Sequence, residues 1–377
     1  SMKNKFIIVT TIPLSLGFFK GQIKVLKTSF EISLISSPGS LLDDICEKEK
    51  VFGYPVAMKR EISIFKDFIS LFKLIKLFYS IKPKVVHGST PKAGLLSMIA
   101  AWVNNVPTRI YYVHGLRYQG TRGFKRGILI LMEKLSCFFS SHVYAVGFGV
   151  KDLLGKDGIT KKNIEVIGNG SVNGINVNLF SSVNSDILDI KEAYGLVSSN
   201  FVFGFVGRLV KDKGIQELVL TFLKINKLNP ETRLLLVGDY ENEDPIGLDI
   251  KKEIVDNSNI INVGYQKDVR SFLKLMDVFV FPSYREGFGI SVMEAGAMEI
   301  PVISSNIIGC NEIIQNGVNG ILIKPKSKED LYRAMGIMLK DLNVLNGMGG
   351  KSRKLIIEKF EQKKLWENTL KSYTNII

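Results

Sequence analysis

Short β-branched and aromatic runs alternate with longer amphipathic stretches along the whole chain, the pattern of an α/β protein built on parallel sheets. In the first half the runs that read as strands are Phe6–Thr10, Ile32–Ser36, Tyr54–Met58, Val85–Ser89, Arg109–His114, His142–Val146 and Ile164–Gly168. In the second half they are Phe201–Val206, Arg233–Val237, Ile260–Val263, Val278–Pro282, Val302–Ser305 and Gly320–Ile323. Between the two sets lies Ser181–Asn200, polar and rich in Ser and Asn at its start, which reads as a linker. The pattern predicts two doubly wound units in tandem, residues 1–180 and 181–357, with a last helix over 358–377 crossing back to the first. Ligands are expected at the carboxyl ends of the strands, in a crevice shared by the two, because loops and helix N-termini converge there.

One stretch departs from the ordinary amphipathic pattern. From Ile62 to Ile81, Lys66, Ser70, Lys73 and Ser80 form a narrow polar stripe, joined by Asp67 and Lys76. Nearly everything else there is apolar, including Phe65, Phe68, Phe72 and Phe78. Such a helix buries one face on its sheet and has apolar surface left for a membrane interface. A core helix of a large domain would read the same way.

Charge tips that balance. Residues 1–180 hold 25 Lys and Arg against 11 Asp and Glu, whereas residues 181–377 hold 25 of each, so the net +14 belongs to the first half. Its partner is expected to be anionic, and a membrane surface fits, each well-placed basic residue adding ~1 kcal/mol of attraction. No RNA- or DNA-binding motif accompanies the charge, so nucleic acid is not expected. Length alone suits two domains. Cys46, Cys137 and Cys310 are an odd number, far apart and without a CxxC pair, which fits a reducing cytosol. His87, His114 and His142 lack metal-ligand spacing and no two aspartates sit two positions apart, so no metal or other cofactor is expected. The apolar start, Phe6 to Phe19, is interrupted by Pro13 and diluted by Thr10 and Thr11, and reads as a buried strand rather than a secretory signal. No uninterrupted apolar run reaches the ~18 residues of a membrane span.

Two segments carry chemistry. Pro282-Ser283-Tyr284-Arg285-Glu286-Gly287-Phe288-Gly289-Ile290-Ser291-Val292-Met293-Glu294-Ala295 follows a strand and opens a helix, with Glu286 in the loop and Glu294 two turns on. Gly287 and Gly289 let backbone N–H groups approach a ligand at the positive end of a helix, where phosphate is favoured. Phe205-Val206-Gly207-Arg208-Leu209-Val210-Lys211-Asp212-Lys213-Gly214 ends the first strand of the second half. Arg208 can grip phosphate oxygens with its planar fork and Lys213 adds a mobile charge, which suits a diphosphate leaving group. Singly, one is a capped helix and the other an exposed basic turn. Together they are specific.

The pair resembles the retaining, EX7E-type glycosyltransferases of family 4, whose GT-B fold sets two Rossmann-like, doubly wound domains across a cleft. The resemblance covers essentially the whole chain. It implies that Glu294 binds the nucleotide ribose, that Glu286 with the backbone of Gly287, Phe288 and Gly289 holds the transferred sugar, and that Arg208 and Lys213, beside Gly207, hold the diphosphate. Ile290 and the loop after Gly264 would meet ribose and base. His114, at the end of Tyr112-Val113-His114-Gly115, would contact the donor sugar or phosphate near the reacting centre. In the first βα loop many relatives carry a Gly-Gly pair; this chain has Ser15-Leu16-Gly17-Phe18-Phe19-Lys20-Gly21-Gln22, with Gly17 as the close-approach glycine. UDP is the nucleotide that the resemblance implies.

Closer still is the likeness to the PglA- and CapM-like subgroup that acts on polyprenyl-diphosphate-linked sugars in surface-glycan assembly. The matching segments are Thr10–Leu14, Arg60–Ser63, Ser89–Gly94, Val113–Leu116 and Gly168–Ser171. Within Thr90-Pro91-Lys92-Ala93-Gly94, Thr90 and Lys92 are candidate contacts for an acceptor diphosphate, a helix start with a solvated lysine being the alternative. The implied activity is front-face transfer of a sugar from a UDP-sugar to a lipid-linked saccharide, by a cytoplasmic protein held peripherally at the membrane. Rival readings are transfer to a soluble acceptor and a catalytically silent sugar-nucleotide-binding protein. Partitioning into membranes at low and high salt separates the first; the intact set Glu286, Glu294, Arg208 and Lys213 speaks against the second.

Overall fold

The computed structural model describes residues 3–59, 61, 63–182 and 188–377, which fall into two compact units. Unit 1 is the chain up to Gly174 together with Gln362–Ile377, and unit 2 is Ile175–Glu361. Arg60 and Ile62 of the Arg60–Ser63 segment, and 183–187 of the expected linker, lie outside the described residues.

Unit 1 contains β1 (Asn4–Val9), β2 (Phe30–Ser36), β3 (Phe52–Pro55), β4 (Val85–Ser89), β5 (Thr108–Val113), β6 (His142–Ala145) and β7 (Ile164–Glu165). They form one parallel sheet in the order β3-β2-β1-β4-β5-β6-β7. Phe6 to Val9 and all of β4 are buried, as strands covered by helices on both faces must be. The winding reverses between β1 and β4, whose register pairs Ile8 with His87 and Val9 with Gly88. The loops leaving their carboxyl ends diverge there and leave a crevice. The third strand begins two residues before the expected Tyr54, and Pro55, which has no N–H for the ladder, closes it at the sheet edge.

Unit 2 repeats the plan with β8 (Phe201–Val206), β9 (Thr232–Val237), β10 (Ile260–Asn262), β11 (Val278–Phe281), β12 (Val302–Ser305) and β13 (Gly320–Ile323). Their order is β10-β9-β8-β11-β12-β13, again all parallel, with the reversal between β8 and β11.

The units divide at Gly174/Ile175 and Glu361/Gln362, where the sequence places the boundaries after 180 and 357. Backbone bonding explains the difference. Ile175 bridges to Glu361 and donates to the Phe360 carbonyl at 2.8 Å, while Arg353 holds the carbonyls of Val177 and Phe180, so 175–180 goes with unit 2. The expected linker is also less loose than its composition, since it holds a helix, Leu188–Ala193, and Leu196 is buried. The last helix, Gln362–Asn375, packs Leu365, Thr369 and Tyr373 into unit 1. Trp366 Nε1 donates to Asn173 Oδ1 at 2.7 Å, and Asn173 Nδ2 donates to the Lys20 carbonyl at 2.9 Å, fastening this helix to the first βα loop.

The helix Ile64–Ile81 corrects the expected polar stripe. Ser70 is not on a solvated face: it is buried with Leu74 and Phe78, and its hydroxyl donates to the Ala57 carbonyl at 2.6 Å. Lys66, Lys73, Lys76 and Ser80 of the stripe are exposed, and beside them Phe65 is 78% exposed, with Ile64, Phe68 and Phe72 also open. Against it packs the helix Pro91–Val103, which in turn packs against the helix Gly123–Phe139. The latter exposes Phe124, Leu131 and Phe138, a stripe at seven-residue spacing. Among the described residues no helix is long and apolar enough to cross a membrane.

On the other side of Gly123–Phe139, Glu133 is buried and accepts from the Tyr111 hydroxyl at 2.6 Å. Burial pushes its carboxyl up to about 7. The folded chain thus holds a proton that the unfolded chain has released, and stability falls as pH rises from about 4.5 to about 7. Glu133→Gln, which keeps an acceptor for Tyr111, is expected to gain stability over the parent across that window, up to about 3 kcal/mol above it. Thermal unfolding at a series of pH values measures this; a difference between the two proteins that does not change with pH contradicts it.

Candidate active site

The second-half motifs meet at the reversal point of unit 2. The 3₁₀ turn Lys211–Lys213 follows β8, and Pro282–Gly289 follows β11. Lys213 Nζ is ion-paired with Glu286 Oε1, each side chain 15% exposed. Glu286 Oε1 also accepts from Ser283 Oγ at 2.8 Å, and the Lys213 ammonium lies 5.2 Å from the centre of the Phe281 ring.

The two loops are fastened to each other at several points. Tyr284 N donates to the Asp212 carbonyl at 2.8 Å, Arg285 Nε reaches Asp212 Oδ2 at 2.6 Å, and the Tyr284 hydroxyl donates to Glu217 Oε2 at 2.7 Å. Gly214 is required between them: its φ is +70°, and a Cβ there would lie 2.2 Å from the Pro282 carbonyl oxygen. Sequence reasoning did not find Ser283, Asp212 or Glu217, whose contacts follow only from this folding of one loop onto the other.

Gly207 follows β8, its N–H donating to the Val237 carbonyl at 3.0 Å. Arg208 beside it points its guanidinium to Glu241 Oε2 at 2.7 Å and is 57% exposed. It sits at the same sheet edge as Lys213 but is not joined to the Lys213–Glu286 pair. An exposed pair of this kind is worth ~0–1 kcal/mol, so Arg208 can leave Glu241 for a better anion at little cost.

The helix Ile290–Ala297 starts from Gly289. Gly289 N–H is taken by the Gly309 carbonyl at 3.1 Å, so it is not one of the free donors the sequence suggested. The N–H groups of Gly287 and Phe288 have no protein acceptor among the described residues. The Phe288 side chain is buried against Phe360, so only its backbone can face a ligand, and Ile290 is 39% exposed. One turn into the helix, burial and then the charge of Asp268 raise the Glu294 carboxyl to about 7. In the loop after Gly264, Tyr265 presents an aromatic ring that is 71% exposed. Unit 2 thus gathers cations, a paired carboxylate, free N–H donors and a second carboxylate, a set that suits a diphosphate bearing hydroxyl groups.

In unit 1 His114 lies just beyond β5. Its ring is packed between Tyr112 and Phe18, both at 4.7 Å, the second supplied by the first βα loop. Burial lowers its pKa to about 3, so it is a neutral imidazole at physiological pH. Gly17, in that loop, has nothing within 4 Å of its Cβ position, so packing does not demand glycine there. The constrained glycine is Gly21, with φ +80° and a Cβ position 2.5 Å from the Trp366 ring. Its cause lies in the C-terminal helix and has no local signature in sequence.

Thr90 and Lys92 differ from expectation. Thr90 Oγ1 is engaged by the Thr11 hydroxyl at 2.7 Å and the Thr11 N–H at 3.2 Å, with Thr90 held at φ +75°. Lys92 is buried, bonded to Asp67 Oδ1 at 2.7 Å and to the Glu61 carbonyl. Lys92 is thus already ion-paired and out of solvent, and it is not the solvated lysine of the alternative reading. Among the described residues no group of three His, Cys, Asp or Glu forms a metal cluster, and Cys46, Cys137 and Cys310 are free thiols.

Residues 34–171 match the family model described as Glycosyltransferase Family 4, and residues 186–355 match Glycosyl transferases group 1. The capsular polysaccharide biosynthesis glycosyltransferase CapM of Staphylococcus aureus is 34% identical over 100% of this chain and 98% of its own. The Escherichia coli UDP-Gal:alpha-D-GlcNAc-diphosphoundecaprenol alpha-1,3-galactosyltransferase is 29% identical over 88% of this chain and 85% of its own. An Anabaena protein crystallised with UDP and glucose superposes with a TM-score of 0.81 at 17% identity, covering 98% of this chain and 99% of that one.

Proposed function

Because this chain belongs to glycosyltransferase family 4 and has the GT-B fold, we propose that it moves a sugar from a UDP-sugar to a polyprenyl-diphosphate-linked saccharide. The observation that carries the donor half is the Lys213–Glu286 pair at the β8–β11 reversal, flanked by the free N–H groups of Gly287 and Phe288. A lysine ammonium has three protons and Glu286 takes one, so Lys213 can hold a phosphate oxygen without releasing the carboxylate. Arg208 turns from Glu241 to the same diphosphate. Glu286 receives hydroxyls of the sugar, Glu294 those of the ribose, and the ring of Tyr265 the base. His114 contacts the donor near the reacting carbon. The cations neutralise the leaving group, so a chelator is expected to leave the rate unchanged.

In the proposed step the bond from the anomeric carbon to the diphosphate oxygen breaks. A bond to the acceptor hydroxyl forms on the same face, and the hydroxyl proton passes to the leaving phosphate. No carboxylate is offered as nucleophile, since Glu286 is held by Lys213 and Ser283. The alpha linkage in the Escherichia coli relative's name supports retention. Analysis of the product by NMR is expected to give an alpha glycoside; a beta product contradicts the front-face step.

The acceptor half is supported by unit 1. Two of its helices, Ile64–Ile81 and Gly123–Phe139, expose Phe65, Phe72, Phe124 and Phe138 on the basic half of the chain. Between them runs an apolar groove of about 260 Å³, lined by Phe68, Leu71, Leu95, Ile99 and Ile128. A face that is both apolar and basic suits peripheral attachment to an anionic bilayer at its cytoplasmic surface. Flotation with vesicles containing anionic lipid is expected at low salt and to weaken as salt rises; Phe65→Ser with Phe72→Ser lowers the bound fraction several-fold. Equal flotation of parent and double variant would show that this face is not the attachment surface.

A further inference from the structure

Behind the His114 ring lies a run of buried polar groups contributed by β4 and the C-terminal helix. The Tyr373 hydroxyl is 3.0 Å from His87 Nε2, His87 Nδ1 is 3.3 Å from Ser89 Oγ, and Ser89 Oγ is 3.3 Å from His114 Nε2. His87 and Ser89 are fully buried and Tyr373 is nearly so. At the far end His114 Nδ1 is buried with no hydrogen-bond partner among the described residues. The ring is clamped between Phe18 and Tyr112, so it cannot swing to exchange one nitrogen for the other without unpacking both.

A neutral imidazole has one donor and one acceptor nitrogen, and a serine hydroxyl has one proton, so this chain can run in only two directions. In the first, Tyr373 donates to His87 Nε2, His87 Nδ1–H donates to Ser89, and Ser89 donates to His114 Nε2. His114 then carries its proton on Nδ1. In the second, every bond reverses, His114 donates from Nε2, and His87 Nε2–H donates to the Tyr373 oxygen. That direction leaves the Tyr373 proton inside the core with no acceptor, because His87 is its only partner among the described residues. An unsatisfied buried polar group is costly: the second direction leaves two unpaired, the Tyr373 proton and the His114 Nδ1 lone pair, whereas the first leaves one, the His114 Nδ1–H, for a ligand to meet. Burial holds both rings neutral, each with its pKa lowered to about 3, so a doubly protonated ring does not enter the choice.

We propose that Tyr373, His87 and Ser89 are positioning residues that fix His114 in the Nδ1–H form, so that it offers a hydrogen-bond donor, and not a base, to an oxygen of the bound nucleotide sugar. The tautomer stands on the unit 1 geometry alone; its use toward a nucleotide sugar rests on the glycosyltransferase reading. In this arrangement a hydroxyl on the helix Gln362–Asn375 sets the chemistry of a side chain beyond β5, which gives that helix a role besides packing.

The chain has three histidines, so histidine-selective ¹⁵N NMR can resolve each ring. Near neutral pH the parent protein is expected to show a pyrrole-type Nδ1 and a pyridine-type Nε2 for both His87 and His114. Tyr373→Phe should turn both into tautomer mixtures, and Ser89→Ala should do so for His114. Each should lower kcat for transfer about tenfold, the worth of one positioned hydrogen bond, with the acceptor KM unchanged. Ser89→Thr, which keeps the hydroxyl, should restore the parent spectrum and rate. A proton on Nε2 of His114 in the parent overturns the proposal without any variant, and so does a His114 signal that ignores both Tyr373→Phe and Ser89→Ala. The expected tautomer in a protein that transfers sugar from no nucleotide would uphold the positioning chain and count instead against the reading of the site.

Discussion

Lys213→Met is expected to cut kcat for sugar transfer by roughly 10²–10³-fold, the usual worth of one preorganised group facing the charge that develops on a leaving oxygen. Lys213 is 15% exposed, paired with Glu286 and seated over the Phe281 ring. Its ammonium therefore acts in a partly desolvated setting, where its charge counts for more than on open surface. Methionine keeps the apolar stem on Phe281 but leaves Glu286 a carboxylate with Ser283 as its one side-chain partner among the described residues. Removing one member of a largely buried pair costs up to about 3–5 kcal/mol of stability, so thermal unfolding must accompany the kinetics. The double variant with Glu286→Gln removes the stranded charge and recovers stability without recovering rate. Steady-state kinetics settle the point: a folded Lys213→Met enzyme within about threefold of the parent would mean that Lys213 does not meet the leaving group.

The second large effect is a pH dependence of donor binding that belongs to Glu294. Its carboxyl is raised to about 7 by burial, with the Asp268 charge adding to it. Below that value the group in the free protein is protonated, and a neutral carboxyl accepts ribose hydroxyls more weakly than a carboxylate does. Affinity for a UDP-sugar should therefore fall as pH drops below about 7, approaching tenfold per unit, and level off above it. The diester phosphates of a UDP-sugar do not titrate in this range, so the slope reports the protein. Glu294→Gln should flatten the profile and weaken binding at high pH by about 10–100-fold, the loss of hydrogen bonds to a charged acceptor. Calorimetric titration from about pH 5.5 to about pH 8.5 tests it, and a variant with the parent's slope would clear Glu294 of the titration.

Much of this architecture could be read from local pattern. Thirteen strand segments were expected and thirteen strands are present among the described residues, because parallel strands buried on both faces leave short apolar runs that loops punctuate. The contact between the Lys213 turn and the Glu286 loop was also foreseeable, since both follow strands that flank the reversal point of a doubly wound sheet. What sequence could not give depends on partners distant along the chain. Lys92 reads as solvated until Asp67, on another helix, pairs with it. Ser70 reads as part of a polar stripe until the Ala57 carbonyl draws it inward. Gly21 owes its necessity to Trp366, and His87, which had no assigned role, gains one only when Tyr373 is brought beside it. In each case the residue type was visible and its partner was not.

The proposed nucleotide-sugar site in unit 2 would yield a longer lipid-linked saccharide. The direct measurement supplies a panel of radiolabelled sugar nucleotides together with a polyprenyl-diphosphate saccharide and follows label into the butanol-extractable fraction. The expected result is incorporation from a UDP-sugar that requires the lipid acceptor and nearly vanishes in Glu286→Ala and Lys213→Met. Label that enters lipid from no sugar nucleotide, or that enters equally well in both variants, would contradict it.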